Sequence, residues 1–245
     1  ANITQYLLEK SRVVSQSKNE RSYHIFYQLC AHGIADVGKP SEYKYLSQSG
    51  CYIIQGVNDK DNFQETMDAF EALKFSTELQ TSILNALVAI LNIGNIKFIA
   101  NDENDATVSP ESEPFVEKAA SLLGLNAKNF GTSLCVRTSV VGGETTLVQF
   151  NTSQAEDLKN AVSKEIYGRI FESIVESINK TLAGPNRDLE ASIDSQPASS
   201  SIGLLDIFGF EILTSNSLEQ LAINYTNERL HNHFVNDVLF NELNL

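Results

Sequence analysis

Ile202-Gly-Leu-Leu-Asp206-Ile-Phe-Gly209-Phe-Glu211-Ile212 is the stretch of this chain that says most about its fold. An apolar run, Ile202 to Leu205, ends on Asp206, and Gly209 three residues on completes a D-x-x-G pattern. In doubly wound nucleotide-binding folds, an acid at the carboxyl end of a buried strand meets the ligand's metal in the crevice. A glycine just beyond lets a backbone amide approach a phosphate with no Cβ in the way. The run therefore predicts a buried strand feeding a turn suited to an anion. Four residues alone also describe any strand end with a turn glycine, so the flanks must decide.

Downstream, Asn216 or Ser217 is positioned to cap a last helix running towards Leu245, with apolar residues on more than one face. Upstream lies a Ser- and Ala-rich segment, 183–201, with two prolines, which reads as a loop. Before it, Leu158, Val162, Ile166, Ile170, Ile174, Ile178 and Leu182 recur every four residues and predict a long helix with one apolar stripe. Residues 135–150 read as two β-rich runs around Gly142–Gly143, a hairpin signal. A helical pair is expected over 111–134, and two further helices with Asp61 and Ser76 as caps, ending near Phe75 and Gly94. Residues 34–60 look irregular. A helix from Asn19 to His32 stops at Gly33, and residues 1–8 alternate loosely as a strand would. The pattern is mixed α/β but predominantly helical, with strands at its first and penultimate elements. A helical subdomain inserted into a larger central sheet would look like this.

Composition narrows the function. The 245 residues carry a formal net charge of −13, which repels nucleic-acid phosphates and anionic lipid, so neither is an expected partner. Between Lys97 and Lys118 there is no base, while Asp102, Glu103, Asp105, Glu111, Glu113 and Glu117 all fall inside; a solvated, mobile loop is the plain reading. No apolar run is long enough to span a membrane, and no signal peptide precedes the first elements. Cys30, Cys51 and Cys135 make an odd set without a C-x-x-C pair, as in a reduced, intracellular protein. His231 and His233 have no Cys or acid cluster at ligand spacing and read as packing or surface residues.

The flanks decide for a family. Asp206-Ile-Phe-Gly-Phe-Glu211, then Asn216-Ser-Leu-Glu-Gln-Leu and Ile223-Asn-Tyr-Thr-Asn-Glu-Arg229, resemble the switch II loop and the start of the relay helix of myosin motors. Tyr6-Leu-Leu-Glu-Lys-Ser-Arg-Val13 and Glu20-Arg-Ser-Tyr-His-Ile-Phe-Tyr-Gln-Leu29 resemble the segment after myosin switch I, and Lys164-Glu-Ile-Tyr-Gly-Arg-Ile-Phe171 fits as well. The resemblance implies a P-loop NTPase motor, with residues 1–201 as an upper 50 kDa-like actin-binding subdomain. Residues 202–215 would be a central-sheet strand and switch II, and 216–245 the start of the relay helix. It implies that Asp206 steadies a Mg²⁺ site through a coordinated water and that the Gly209 N–H meets the ATP γ-phosphate. Glu211 would pair with a switch I arginine and close over the attacking water.

It implies, too, that the 135–150 hairpin is the loop that touches F-actin, with Arg137, Gly142, Gly143 and Glu144 facing the filament. Glu144 falls sixteen residues before Asn160, the position at which many myosins need an acidic or phosphorylatable residue. No G-x-x-x-x-G-K-[ST] occurs, nor a switch I match; in the family both lie upstream of Ala1. The parent is then expected to be an actin-activated Mg-ATPase of the cytoplasmic cytoskeleton. This chain alone is expected to be inactive and without cofactor, its partners being F-actin and the rest of the motor, including P-loop, switch I and converter. A filament-binding module of a catalytically inactive myosin-like protein is the alternative.

Overall fold

The computed structural model describes residues 1–6, 8–141, 144–183, 202–212, 216–240 and 243. The chain divides into two compact units, Ala1–Asn186 and Arg187–Leu245.

The first unit is helical. Helix α1 (His24–His32) ends where Gly33 turns to φ 75° and sends its N–H back to the Leu29 carbonyl at 2.9 Å, a conformation open to glycine. A short α2 (Lys44–Ser47) follows. Helix α3 (Asp59–Ala72) is capped by Asn58 rather than Asp61: the Asn58 side chain accepts from Lys60 N and donates to Asp61 at 2.6 Å. Ser76 caps α4 (Thr77–Asn95) as the sequence predicts, by accepting from Leu79 N. The run from Leu87 to Gly94 is buried on every side, so α4 is the central rod of the unit.

Helices α5 (Glu113–Leu122) and α6 (Ala127–Ser133) form the expected pair. Helix α7 (Thr152–Ala183) starts earlier than the apolar stripe does, because Asn151 and Gln154 exchange side-chain-to-backbone bonds of 3.0 and 2.9 Å in a reciprocal cap. One core gathers Phe26, Leu29, Phe63, Leu84 and Tyr167 from α1, α3, α4 and α7; a second packs Ile93 and Ile96 against Val116, Ala119 and Phe130.

Three expectations are corrected. Residues 1–6, 8 and 9 form no strand, and neither do 202–212. A strand needs a neighbour to form a ladder, and the two sheets present among the described residues contain neither segment. Residues 98–108, read as part of a mobile acidic loop, form a two-stranded ribbon, β1 (Phe98–Ala100) with β2 (Ala106–Val108). The side chain of Asn101 accepts from Glu103 N and Asp105 N and closes its turn, so an asparagine supplies order that the charge count conceals. The second ribbon, β3 (Val136–Val141) with β4 (Glu144–Gln149), is the expected hairpin; its register runs from Val136 opposite Gln149 to Val141 opposite Glu144.

In the second unit, Ser217 and Gln220 form the capping box of α8 (Leu218–Phe234), which passes into a π-helical stretch, Val235–Phe240. Residues 202–212 lie alongside α8 without regular structure of their own, held to it by side-chain bonds.

Candidate functional site

The 202–212 loop is fixed by one polar stripe of α8. Gln220, Asn224 and Asn227 recur at helical spacing, so their side chains share a face. Asn224 Oδ1 accepts from Glu211 N at 2.7 Å, and Asn224 Nδ2 donates to the Glu211 carbonyl at 2.7 Å. Gln220 Nε2 donates to Glu211 Oε2 at 3.3 Å. Asn227 Nδ2 donates to the Phe208 carbonyl at 2.8 Å and to its own helix at Ile223. All three stand in the strings that carry the family resemblance, but the sequence alone gives them no role. Their i, i+4, i+7 spacing is a legible signal, but it only acquires meaning once a loop carbonyl is seen opposite.

Gln220 is bonded at both ends. Its Oε1 accepts from the Ser217 N–H at 2.8 Å and the Ser217 hydroxyl at 2.5 Å, while its amide nitrogen reaches the Glu211 carboxylate. The first turn of the helix and the side chain of Glu211 are therefore joined through a single amide.

The three predicted residues differ in how they are held. Glu211 is half-buried and clamped. Asp206 and Gly209 are exposed, and the Asp206 carboxylate makes no hydrogen bond or ion pair among the described residues. A Cβ built on Gly209 meets nothing within 4 Å, so its own unit leaves the space beside that N–H open. An open backbone amide suits a phosphate, and a free carboxylate suits a metal-bound water. Asp206 is alone, however: no group of three or more Cys, His, Asp or Glu side chains gathers among the described residues.

In the hairpin, exposed Arg137 on β3 stands opposite Val148, and Glu144 opens β4. Gly142 and Gly143 lie outside the described residues. His231 and His233 are exposed side chains of α8, and His233 Nε2 sits 3.1 Å from Asp237, one turn on. All three cysteines are free thiols. No described helix is long and apolar enough to cross a membrane.

Comparison with known proteins points one way. The family profile described as "Myosin head (motor domain)" matches residues 1–244. The chain is 39% identical over 240 residues to Myosin-3 of Arabidopsis thaliana, an alignment that takes in 96% of this chain and 20% of that protein. It is 38% identical over 240 residues to unconventional myosin-Vc of Homo sapiens, covering 96% of this chain and 13% of the relative. With Myosin-1 of Aspergillus oryzae the identity is 39% over 246 residues, covering 96% and 19%. The chain thus spans no more than about a fifth of the length of these curated relatives.

Proposed function

This chain belongs to the myosin head (motor domain) family, and from that premise we propose that it is the part of an actin-based motor that senses the γ-phosphate of ATP and contributes to the actin-binding cleft. The observation that carries the reading is the unequal hold on the 202–212 loop. Asp206 and Gly209 are open to a ligand, while Glu211 two residues further on is bonded through main chain and side chain to the start of a helix. The Phe208 carbonyl, in the same peptide unit as the Gly209 N–H, is itself bonded to Asn227, so a ligand that moves this unit moves a point already tied to α8.

In this reading the residues divide the work. The Gly209 N–H donates to a γ-phosphate oxygen, and a hydrogen bond to a charged acceptor is among the stronger ones. Asp206 would hold the Mg²⁺ of Mg-ATP through a water, and the cation would supply charge neutralisation at the phosphoryl group. Glu211 closes over the attacking water against an arginine of the switch I segment. Phosphoryl transfer depends mainly on positioning and charge stabilisation, so placing these groups is the chemistry the chain supplies. Residues 1–201, 202–215 and 216–245 are proposed as actin-binding subdomain, central-sheet segment with switch II, and start of the relay helix. Within the first of these, Arg137, Gly142, Gly143 and Glu144 of the hairpin face F-actin, in a motor of the cytoplasmic cytoskeleton.

Two experiments test this. The 245-residue chain, which contains no G-x-x-x-x-G-K-[ST], is titrated with Mg·ATP in a calorimeter. No saturable heat at millimolar nucleotide is expected; tight binding would mean that the nucleotide sits elsewhere on this chain. In a complete motor, Glu144→Ala is expected to weaken actin activation and spare basal turnover, because the hairpin lies outside the 202–212 loop. Unchanged activation would remove the hairpin from the filament interface.

A further inference from the structure

A cavity of about 460 Å³ opens between β2, α5, α6 and the base of the β3–β4 ribbon. Every wall comes from residues 106–149, so the hollow is built within one contiguous stretch of the first unit. Ala106, Val116, Gly131 and Cys135 are buried and form an apolar floor. A hollow of this size with an apolar floor and a few polar groups at its mouth has the character of a small-molecule site.

The mouth is charged. Glu113 and Glu117 line it from α5, one helical turn apart on the same face, and Lys128 lines it from α6. All three are exposed, and none joins a salt bridge or side-chain hydrogen bond among the described residues. Two carboxylates against one ammonium, set on the rim of a low-dielectric hollow, give a local potential that draws a cation.

We propose that this cavity binds a small amphipathic amine, with its aromatic or branched aliphatic body against Val108, Val116 and Cys135 and its ammonium between Glu113 and Glu117. The site bears on the hairpin. Val136 and Gln149, both in the cavity wall, are the first rung of the β3–β4 ladder. The Phe150 N–H donates to the Cys135 carbonyl at 2.9 Å, and the Ala106 N–H donates to the Phe150 carbonyl at 2.7 Å. An occupant thus touches the point from which the hairpin projects.

The chain contains no tryptophan, so an indole probe excited at the long-wavelength edge of its absorption, beyond that of the eight tyrosines, stands out from the protein. Tryptamine, 3-methylindole and indole-3-propionate present the same ring with an ammonium, no charge and a carboxylate. Fluorescence anisotropy on the full chain is expected to show saturable tryptamine binding, about 5-fold tighter than 3-methylindole, with the acid weakest. Glu113→Gln with Glu117→Gln, checked for folding by circular dichroism, is expected to remove that advantage and leave 3-methylindole binding unchanged. On the unaltered chain, tryptamine is expected to slow alkylation of Cys135 by N-ethylmaleimide, mapped by mass spectrometry, while Cys30 and Cys51 react as before. Equal binding of the three probes overturns the proposal, as does amine binding that neither responds to the double variant nor protects Cys135.

Discussion

Asn224 holds both main-chain groups of Glu211 at once, accepting from its N–H and donating to its carbonyl at 2.7 Å each. A primary amide can complete such a ring with the N–H and C=O of one residue, since it carries a donor and an acceptor side by side. Glu211 is thereby given a fixed position relative to α8 before any ligand arrives.

In a complete motor, Asn224→Ala frees that position. Two hydrogen bonds of about 1 kcal/mol each are lost, so ATP turnover is expected to fall by roughly 10-fold or more while the apparent affinity for nucleotide stays near its original value. Asn224→Asp, which keeps the acceptor and loses the donor, is expected to fall between. Steady-state kinetics separate the two parameters; a rise in KM with unchanged kcat would show that Asn224 serves binding and not placement.

How far the sequence could be read depended on whether a residue's partner was near it. Caps such as Ser76, the stop at Gly33 and the existence of the 135–150 hairpin are local, and each was legible. The apolar stripe of α7 was legible as a stripe, but the face buried deepest is one residue later: Ala155, Lys159, Ser163 and Tyr167. A lysine and a serine there look like solvent positions until the ends of other helices meet them. The acids of the 98–118 stretch misled for the converse reason, because charge says nothing of the Asn101 side chain that closes a ribbon there. At the candidate site, the string around Asp206 announced itself, while the amides that hold Glu211 did not, their partners being backbone atoms.

Lys159 is wholly buried, with Nζ 2.9 Å from the Ile96 carbonyl, 3.4 Å from that of Gly94 and 2.8 Å from Glu156. It closes the C-terminal end of α4, where unpaired carbonyls favour a cation. Lys159→Met keeps the chain length and orphans those carbonyls. Glu156 retains Lys44 at 2.6 Å, so the expected destabilisation lies near the lower end of the range for a broken buried pair, about 3 kcal/mol. Urea unfolding of the two chains measures it, and a loss below about 1 kcal/mol would show that the ammonium contributes packing alone.

Two glycines should answer differently to alanine. A Cβ on Gly94 would lie 2.6 Å from the Tyr45 ring, which cannot retreat because the Tyr45 hydroxyl is bonded to Asn160 at 2.8 Å and contacts Ser163 at 3.1 Å. A Cβ on Gly168 would lie 2.5 Å from Cε of Lys10, the mobile end of a side chain that is 38% exposed. Gly94→Ala is therefore expected to destabilise by about 1–3 kcal/mol through overpacking. For Gly168→Ala, the displaced Lys10–Glu165 pair is offset by the better helix propensity of alanine, about 1 kcal/mol, so stability should change little. Melting temperatures of both variants decide it; equal losses would contradict the packing described around Tyr45.

Alkaline pH should unfold the protein earlier than its net charge suggests. Burial pushes the Cys30 thiol up to about 12, with Glu42 and Asp59 adding to the shift, and burial likewise raises the Tyr23 hydroxyl to about 12. In the unfolded chain these groups ionise near 8.5 and 10 respectively. The folded state then binds more protons than the unfolded one over that window, so their stabilisation is complete below about pH 8.5 and is lost as pH rises towards 12. Lys159 works the other way, because burial lowers its pKa and favours the folded state as it loses its proton, but burial also raises Cys135, Tyr27, Tyr43, Tyr45 and Tyr167, which add to the alkaline loss. Urea midpoints taken at steps of pH from 8 upward are expected to fall, with Cys30→Ala flattening the first part of the fall and Tyr23→Phe the later part. A midpoint that stays level to pH 11 would mean that both groups ionise in place without cost.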